Sequence, residues 1–223
     1  MEIKTLVLDL DGCLYPLSVE RAADRASIMK VDEYIKAKGL SKKATWRFDR
    51  QKAAYERAGR ISALIKYISR EMNLSERLLA EYAHNIDPME MGMRSDGRLA
   101  ALFARLSKRY GVWIFTNAHP KWAIRALRTL GVIRYLDRES IIHMNNMGGY
   151  LKPDPRAFRL MLKMVGTEKD KILFIDNNRA NTSVGRSMGI RSITANGNRK
   201  RGRNSTYYIL RSILNDKAYG QRR

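Results

Sequence analysis

The stretch Ile3-Lys4-Thr5-Leu6-Val7-Leu8-Asp9-Leu10-Asp11-Gly12 decides the fold. From Ile3 to Leu10 it is nearly continuous apolar text, the pattern of a short strand buried on both faces of a parallel sheet. It ends at Asp11-Gly12, a turn signal. Two carboxylates therefore stand together at the end of an apolar strand. They do so in a chain of 223 residues with 43 Lys+Arg against 22 Asp+Glu and a net charge of +21. Acids placed against the general trend of a chain need a local explanation.

Working outward, the text from about Val19 to His84 is helical. Ile28, Val31, Tyr34 and Ile35 recur at helix spacing, as do Ile61, Leu64, Ile65 and Ile68, and Ser41 and Ser75 are candidate caps. An insert of about four helices is expected over 17–90. Past Met93 helices and strands alternate. Leu99, Leu102, Phe103 and Leu106 share a helix face, and Val112 to Phe115 reads as a strand. Pro120 opens a helix that Gly131 stops. Ser140 to His143 reads as a short strand, Pro155 opens another helix, and Ile172 to Ile175 is a strand. A helix from Asn181 to Met188 is closed by Gly189, and Ile190 to Ala195 is the last strand. The alternation predicts an α/β fold with a Rossmann-like parallel sheet, built from residues 1–16 and 91–195 around the helical insert. Residues 196–223 form a basic loop, a helix near Tyr207–Leu214 and a tail.

Composition excludes several classes. An apolar share of 44% and a charged share of 29% are those of a globular chain. A single cysteine rules out an internal disulfide framework and a Cys-rich zinc site. No window holds the ~18 uninterrupted apolar residues of a membrane span, and residues 1–16 show no basic leader, so no secretory signal is expected. The expected setting is intracellular, cytoplasmic first, with the nucleus or an organelle as alternatives. The basic excess lies mostly past residue 90: 91–195 carry 19 Lys+Arg against 7 Asp+Glu, and 196–223 carry 8 against 1. Such an excess suits polyanions or anionic substrates. No sequence-reading module accompanies it, so any nucleic-acid or ribonucleoprotein contact through this surface and residues 196–223 is expected to be backbone-directed.

Three positions obey one rule, each sitting at the C-terminal end of a strand, where open α/β sheets gather ligands. They are Asp9 and Asp11, Thr116 and Asn117, and Asp176 and Asn177; Lys152 lies in a loop able to reach the same edge. Paired carboxylates two residues apart can divide the labour of attack and proton transfer. Asp176 completes an oxygen-only site suited to Mg²⁺, and a hydroxyl, an amide and a Lys suit the remaining oxygens of a phosphoryl group.

These residues resemble the haloacid dehalogenase superfamily. LVLDLDGCLYP (6–16) is similar to its first motif, D-x-D-x-[TV]-L, with Cys13 in place of the common Thr. IFTNA (114–118) is similar to the second, GGYLKPDPRAF (148–158) to the third, and FIDNNRANTSVGRSMGI (174–190) to the fourth. IFTNA and the insert look most like the pyrimidine 5'-nucleotidase branch, and the insert resembles the family's helical cap over small substrates. The resemblance implies a Mg²⁺-dependent phosphatase, with Asp9 as the nucleophile that forms an aspartyl-phosphate and Asp11 as general acid and base. Thr116, Asn117 and Lys152 then bind phosphate, Asp9, Asp11 and Asp176 hold the metal, and Asn177 and Asn181 are further candidates for its shell.

Asn177 stands where the family usually has a second acid, which weakens the expected Mg²⁺ site. Nucleotides are the expected substrates. Phosphorylated nucleic-acid ends are one alternative, and a catalytically weak or inactive protein bound to RNA or a ribonucleoprotein is another. Cys13, the lone thiol, reads as a small buried hydrophobe, and Asp154 as a turn or salt-bridge residue. His84, His119 and His143 are too scattered for a metal site. The Met-rich stretch near residue 90 reads as core or hinge packing, and Trp46, Tyr55 and Tyr67 as core.

Overall fold

Strand β1 (Thr5–Leu8) is buried at every position and is paired on both edges. One neighbour is β2 (Gly111–Phe115) and the other is β4 (Ile172–Asp176), both parallel to it. Beyond β2 lies β3 (Ile141–Ile142), and beyond β4 lies β5 (Arg191–Thr194), also parallel, in the order β3-β2-β1-β4-β5. The chain thus starts in the middle, builds one side and then the other, and the reversal of strand order falls at β1. The register places Leu8 opposite both Ile114 and Ile175. The Asp9 N–H continues the ladder, donating to the Ile175 carbonyl at 2.9 Å. The computed structural model describes residues 2–39, 61–195 and 205–215.

The α/β fold read from the sequence is the one observed. Chain contacts divide it into two units, one of residues 1–17 and 93–223 and the other of residues 18–92. In the first unit, α4 (Gly97–Leu106) is capped by Asp96 and buries Leu99, Leu102, Phe103 and Leu106. Pro120 opens α5 (Pro120–Thr129) behind an N-cap at His119. Pro155 opens α6 (Pro155–Val165) behind Asp154, whose carboxylate accepts from the Arg156 N–H and pairs with its guanidinium. Helix α7 (Arg179–Ser187) starts behind Asn178. The core between sheet and helices centres on Phe115, Phe158 and Phe174, whose centroids lie 5.3 to 6.0 Å apart. Helix α8 (Ser205–Asn215) buries Thr206, Leu210, Ile213 and Leu214, and Arg109 Nη1 donates to the Leu214 carbonyl at 3.0 Å.

The second unit is helical where it is described: α1 (Leu17–Ala37), α2 (Ile61–Glu71) and α3 (Glu76–Ala83). Its core joins Ile28, Val31 and Ile35 to Leu64, Ile65 and Ile68, with Leu79, Ala80 and Ala83. Tyr67 packs against this cluster, and Ser75 caps α3 by accepting from the Leu78 N–H. Ser41, Trp46 and Tyr55 lie outside the described residues, as do 196–204 and 216–223. In the Met-rich stretch, Met93 joins the core, while Met89, in a turn, is 55% exposed. Among the described residues no helix is long and apolar enough to cross a membrane.

Helix α7 can lie close on the sheet because residue 185 has no side chain. A Cβ there would come within 2.4 Å of Ser192 Oγ and 3.2 Å of Phe174 Cδ1. Gly185→Ala should therefore destabilise the protein by about 1–3 kcal/mol in urea melts, although alanine gains up to about 1 kcal/mol in helix propensity. Adding Ser192→Ala should recover part of the loss, and a stabilising Gly185→Ala would contradict this packing.

Candidate functional site

The carboxyl ends of β1, β2 and β4 bring Asp9, Thr116 and Asp176 to one edge, and all three are buried. Lys152 arrives from the loop ahead of α6. Its Nζ donates to Asp9 Oδ1, to Asp176 Oδ2 and to the Phe115 carbonyl, each at 2.7 Å. The ammonium also lies 5.0 Å from the Phe115 ring centroid and 5.7 Å from that of Phe174, where the negative ring faces favour a cation. Its side chain is 1% exposed. Burial opposes the lysine's charge, but Asp176 and Asp9 more than reverse that and hold its pKa above the ordinary lysine range.

Asn117 holds this lysine in place. Its Nδ2 donates to the Lys152 carbonyl at 2.9 Å, and its Oδ1 accepts from the Lys152 N–H at 2.8 Å. The side chain expected to bind phosphate is therefore engaged on the Lys152 main chain, a two-bond clamp that the sequence did not signal.

Asp176 is held from the other side. Its Oδ1 accepts from the Asn178 N–H at 2.7 Å, at the start of α7, and its Oδ2 accepts from Asn181 Nδ2 at 2.9 Å. Because that carboxylate oxygen accepts from Nδ2, the amide orientation of Asn181 is fixed. Asn181 Oδ1 is left buried without a hydrogen-bond partner. Asn177 is half-buried after the last residue of β4.

Asp11 points elsewhere. Its Oδ2 accepts from Thr116 Oγ1 at 2.8 Å, and its Oδ1 accepts from the Tyr15 hydroxyl and, at 2.9 Å, from Trp122 Nε1. The Asp11 carboxylate, expected to join Asp9 and Asp176 in holding the metal, is here engaged by these three donors. Among the described residues no three His, Cys, Asp or Glu side chains are grouped to hold an ion. Sequence spacing alone does not single out Tyr15, which falls within the stretch of the first motif, or Trp122, four residues past that of the second. Thr116 also accepts from the Ala118 N–H at 3.0 Å. Cys13 is fully buried, with its sulfur 3.2 Å from Thr206 Oγ1. Burial and the Asp9 charge push its thiol pKa up, so it stays protonated, in keeping with a packing role. His119 and Asp154 serve as helix caps.

Two buried carboxylates share one ammonium, and the local charge is unbalanced. Burial first, and the Asp176 charge next, push the Asp9 pKa up to about 8 against the pull of Lys152. Excess negative charge, oxygen donors alone, and an orphaned Asn181 Oδ1 fit a small hard cation such as Mg²⁺, which takes one or two carboxylates and fills its remaining positions with water and substrate. A carboxyl raised from 3.8 to about 8 on folding contributes stability that is full below the lower value and lost as pH rises through the upper one. In chelator, the advantage in stability of Asp9→Asn over the parent should therefore grow from about pH 5 to about pH 9. Parallel pH profiles in urea melts would contradict the raised pKa.

A family model described as haloacid dehalogenase-like hydrolase matches residues 3–189. Phosphate metabolism protein 8 of Saccharomyces cerevisiae is 28% identical over an alignment of 112 residues that covers 46% of this chain. The match spans only 35% of that curated relative's length. Among solved structures, the putative HAD-hydrolase YfnB of Bacillus subtilis, bound to magnesium, aligns with a TM-score of 0.58 at 15% identity over 97% of this chain and all of that one. The L-2-haloacid dehalogenase of Xanthobacter autotrophicus, with chloropropionic acid covalently bound, aligns with a TM-score of 0.52 at 17% identity over 96% of this chain and 84% of that one. At these identities the structural likeness is one of fold, and the family follows from the sequence match over most of the chain. The chain belongs to the haloacid dehalogenase-like hydrolases.

Proposed function

We propose that this hydrolase is a Mg²⁺-dependent phosphatase acting on phosphomonoesters, nucleotides first among them. The observation that carries the reading is the Asp9–Lys152–Asp176 cluster, with a second, hydrogen-bonded carboxylate two residues past Asp9. Asp9 attacks phosphorus, the bond to the leaving oxygen breaks, and Asp11 gives that oxygen its proton. Asp11 then takes a proton from water whose oxygen bonds phosphorus as the Asp9–phosphorus bond breaks, which releases inorganic phosphate and restores both residues. Asp9 and Asp176 would hold the metal, with the Asn181 amide oxygen beside Asp176 and Asn177 a further candidate for its shell. Magnesium, when bound, supplies positive charge that favours the Asp9 anion and masks the phosphoryl oxygens. Lys152, held by Asn117, adds a fixed positive charge at the same place, and Thr116 offers a hydroxyl to a phosphoryl oxygen.

Hydrolysis of a carbon–halogen bond is the rival chemistry within the family. A halide leaves without a proton, whereas an alkoxide needs one, and the organised carboxylate of Asp11 favours the phosphoester. The nucleotide substrate rests on the resemblance of IFTNA and the helical insert to the pyrimidine 5'-nucleotidase branch, with the insert proposed as a cap. The name of the yeast relative, phosphate metabolism protein 8, supports phosphate chemistry and specifies no substrate. The net charge of +21 supports a second proposal, sequence-indifferent contact with nucleic-acid backbones, which would weaken steeply with salt.

The test is phosphate release from a panel of nucleoside monophosphates with Mg²⁺, beside halide release from 2-haloacids. Phosphate release is expected to fall at least about 10³-fold in Asp9→Asn and to stop in chelator. Equal release by parent and variant, or halide release alone, would refute the phosphatase.

A further inference from the structure

Tyr15 and Trp122 are buried aromatic residues, 2% and 4% exposed, whose polar ends meet on one acceptor. Their rings are edge-on, with centroids 6.2 Å apart and planes at 83°. The Tyr15 hydroxyl donates to Asp11 Oδ1, while Trp122 Nε1 lies 2.9 Å from that oxygen and 2.8 Å from the Tyr15 hydroxyl oxygen. An indole can only donate, and buried Tyr and Trp side chains ordinarily find a partner. Here both find the side chain to which proton transfer is assigned. The other Asp11 oxygen is bonded to Thr116, a residue proposed to meet the substrate.

We infer that Tyr15 and Trp122 are positioning residues for Asp11, holding one carboxyl oxygen fixed so that the other delivers and recovers the proton of phosphoryl transfer. This rests on the phosphatase reading. The Thr116 hydroxyl has a single proton. A phosphoryl oxygen arriving at Thr116 competes with Asp11 Oδ2 for that proton, while the bonds on Oδ1 involve no group that meets the substrate. The carboxyl is thereby released at Oδ2 and anchored at Oδ1. The proton leaves Oδ2 for the departing oxygen as its bond to phosphorus breaks, and a proton from water returns to Oδ2 in the second half of the reaction.

The role separates from a structural one by leaving group. Nitrophenolate departs without a proton and a nucleoside alkoxide does not. Tyr15→Phe and Trp122→Phe should each lower kcat on a nucleoside 5'-monophosphate about 10–100-fold, with KM little changed. On p-nitrophenyl phosphate each should lower kcat/KM less than about 3-fold, because that ratio reports formation of the aspartyl-phosphate, where the departing nitrophenolate needs no acid. The double variant should lose less than the product of the singles, since both bonds act on one oxygen. Equal losses on the two esters, or no loss on the nucleotide, would overturn the inference. A second measurement covers variants that fold poorly. The Trp122 indole N–H resonance, assigned by its absence in Trp122→Phe, should shift and exchange faster in Asp11→Asn, and an unmoved resonance would also overturn it. A parent that hydrolyses neither ester refutes the phosphatase and the proton-transfer role with it, while the indole resonance still reports whether the carboxylate is held.

Discussion

An ammonium has three protons, and Lys152 spends all of them inside the protein, on Asp9, Asp176 and the Phe115 carbonyl. Everything at the sheet edge is arranged around that point. Three strands end there in parallel register, so one cation can reach a side chain or carbonyl at the end of each. Removing two carboxylates and an ammonium from water costs several kcal/mol per ion. The arrangement persists because every ammonium proton is bonded, the phenylalanine rings of the core present their faces to the cation, and both the main-chain N–H and the carbonyl of the lysine are tied to Asn117.

The same point explains why the site is chemically unfinished. One positive charge between two negative ones leaves a deficit, which shows in the raised pKa of Asp9 and beside the unpartnered Asn181 oxygen. Asn177 adds no charge to correct it. A divalent cation and a phosphoryl group would bring charges of opposite sign to the same place, and in the proposed reaction each makes the other tolerable. The core fold supplies the rigid half of the arrangement through Phe115, Phe158 and Phe174, while Gly185 lets α7 approach closely enough for Asn181 to reach Asp176.

Much of this was legible because it rests on local patterns. Continuous apolar runs marked the buried parallel strands, Pro120 and Pro155 marked helix starts, and Gly189 marked a stop. The rule that ligands gather at strand ends drew attention to Asp9, Thr116 and Asp176, which the fold does bring together. Side-chain direction was not legible. Nothing in the order of residues distinguishes Trp122 as a donor to Asp11 from an ordinary apolar position on α5, or tells whether the Asn117 amide faces solvent or the Lys152 main chain. The engagement of the Asp11 carboxylate by Thr116 and Trp122 likewise depends on contacts between residues more than a hundred positions apart.

The buried ammonium can be tested without assuming any substrate. Unfolding in urea, in chelator near neutral pH, would compare the parent with Lys152→Met and with the triple variant Lys152→Met, Asp9→Asn, Asp176→Asn. Lys152→Met should cost about 3–5 kcal/mol, because two carboxylates lose their cation, and the triple variant should regain most of it. A Lys152→Met protein within about 0.5 kcal/mol of the parent, the level of an ordinary surface substitution, or a triple variant no more stable than the single one, would contradict the account.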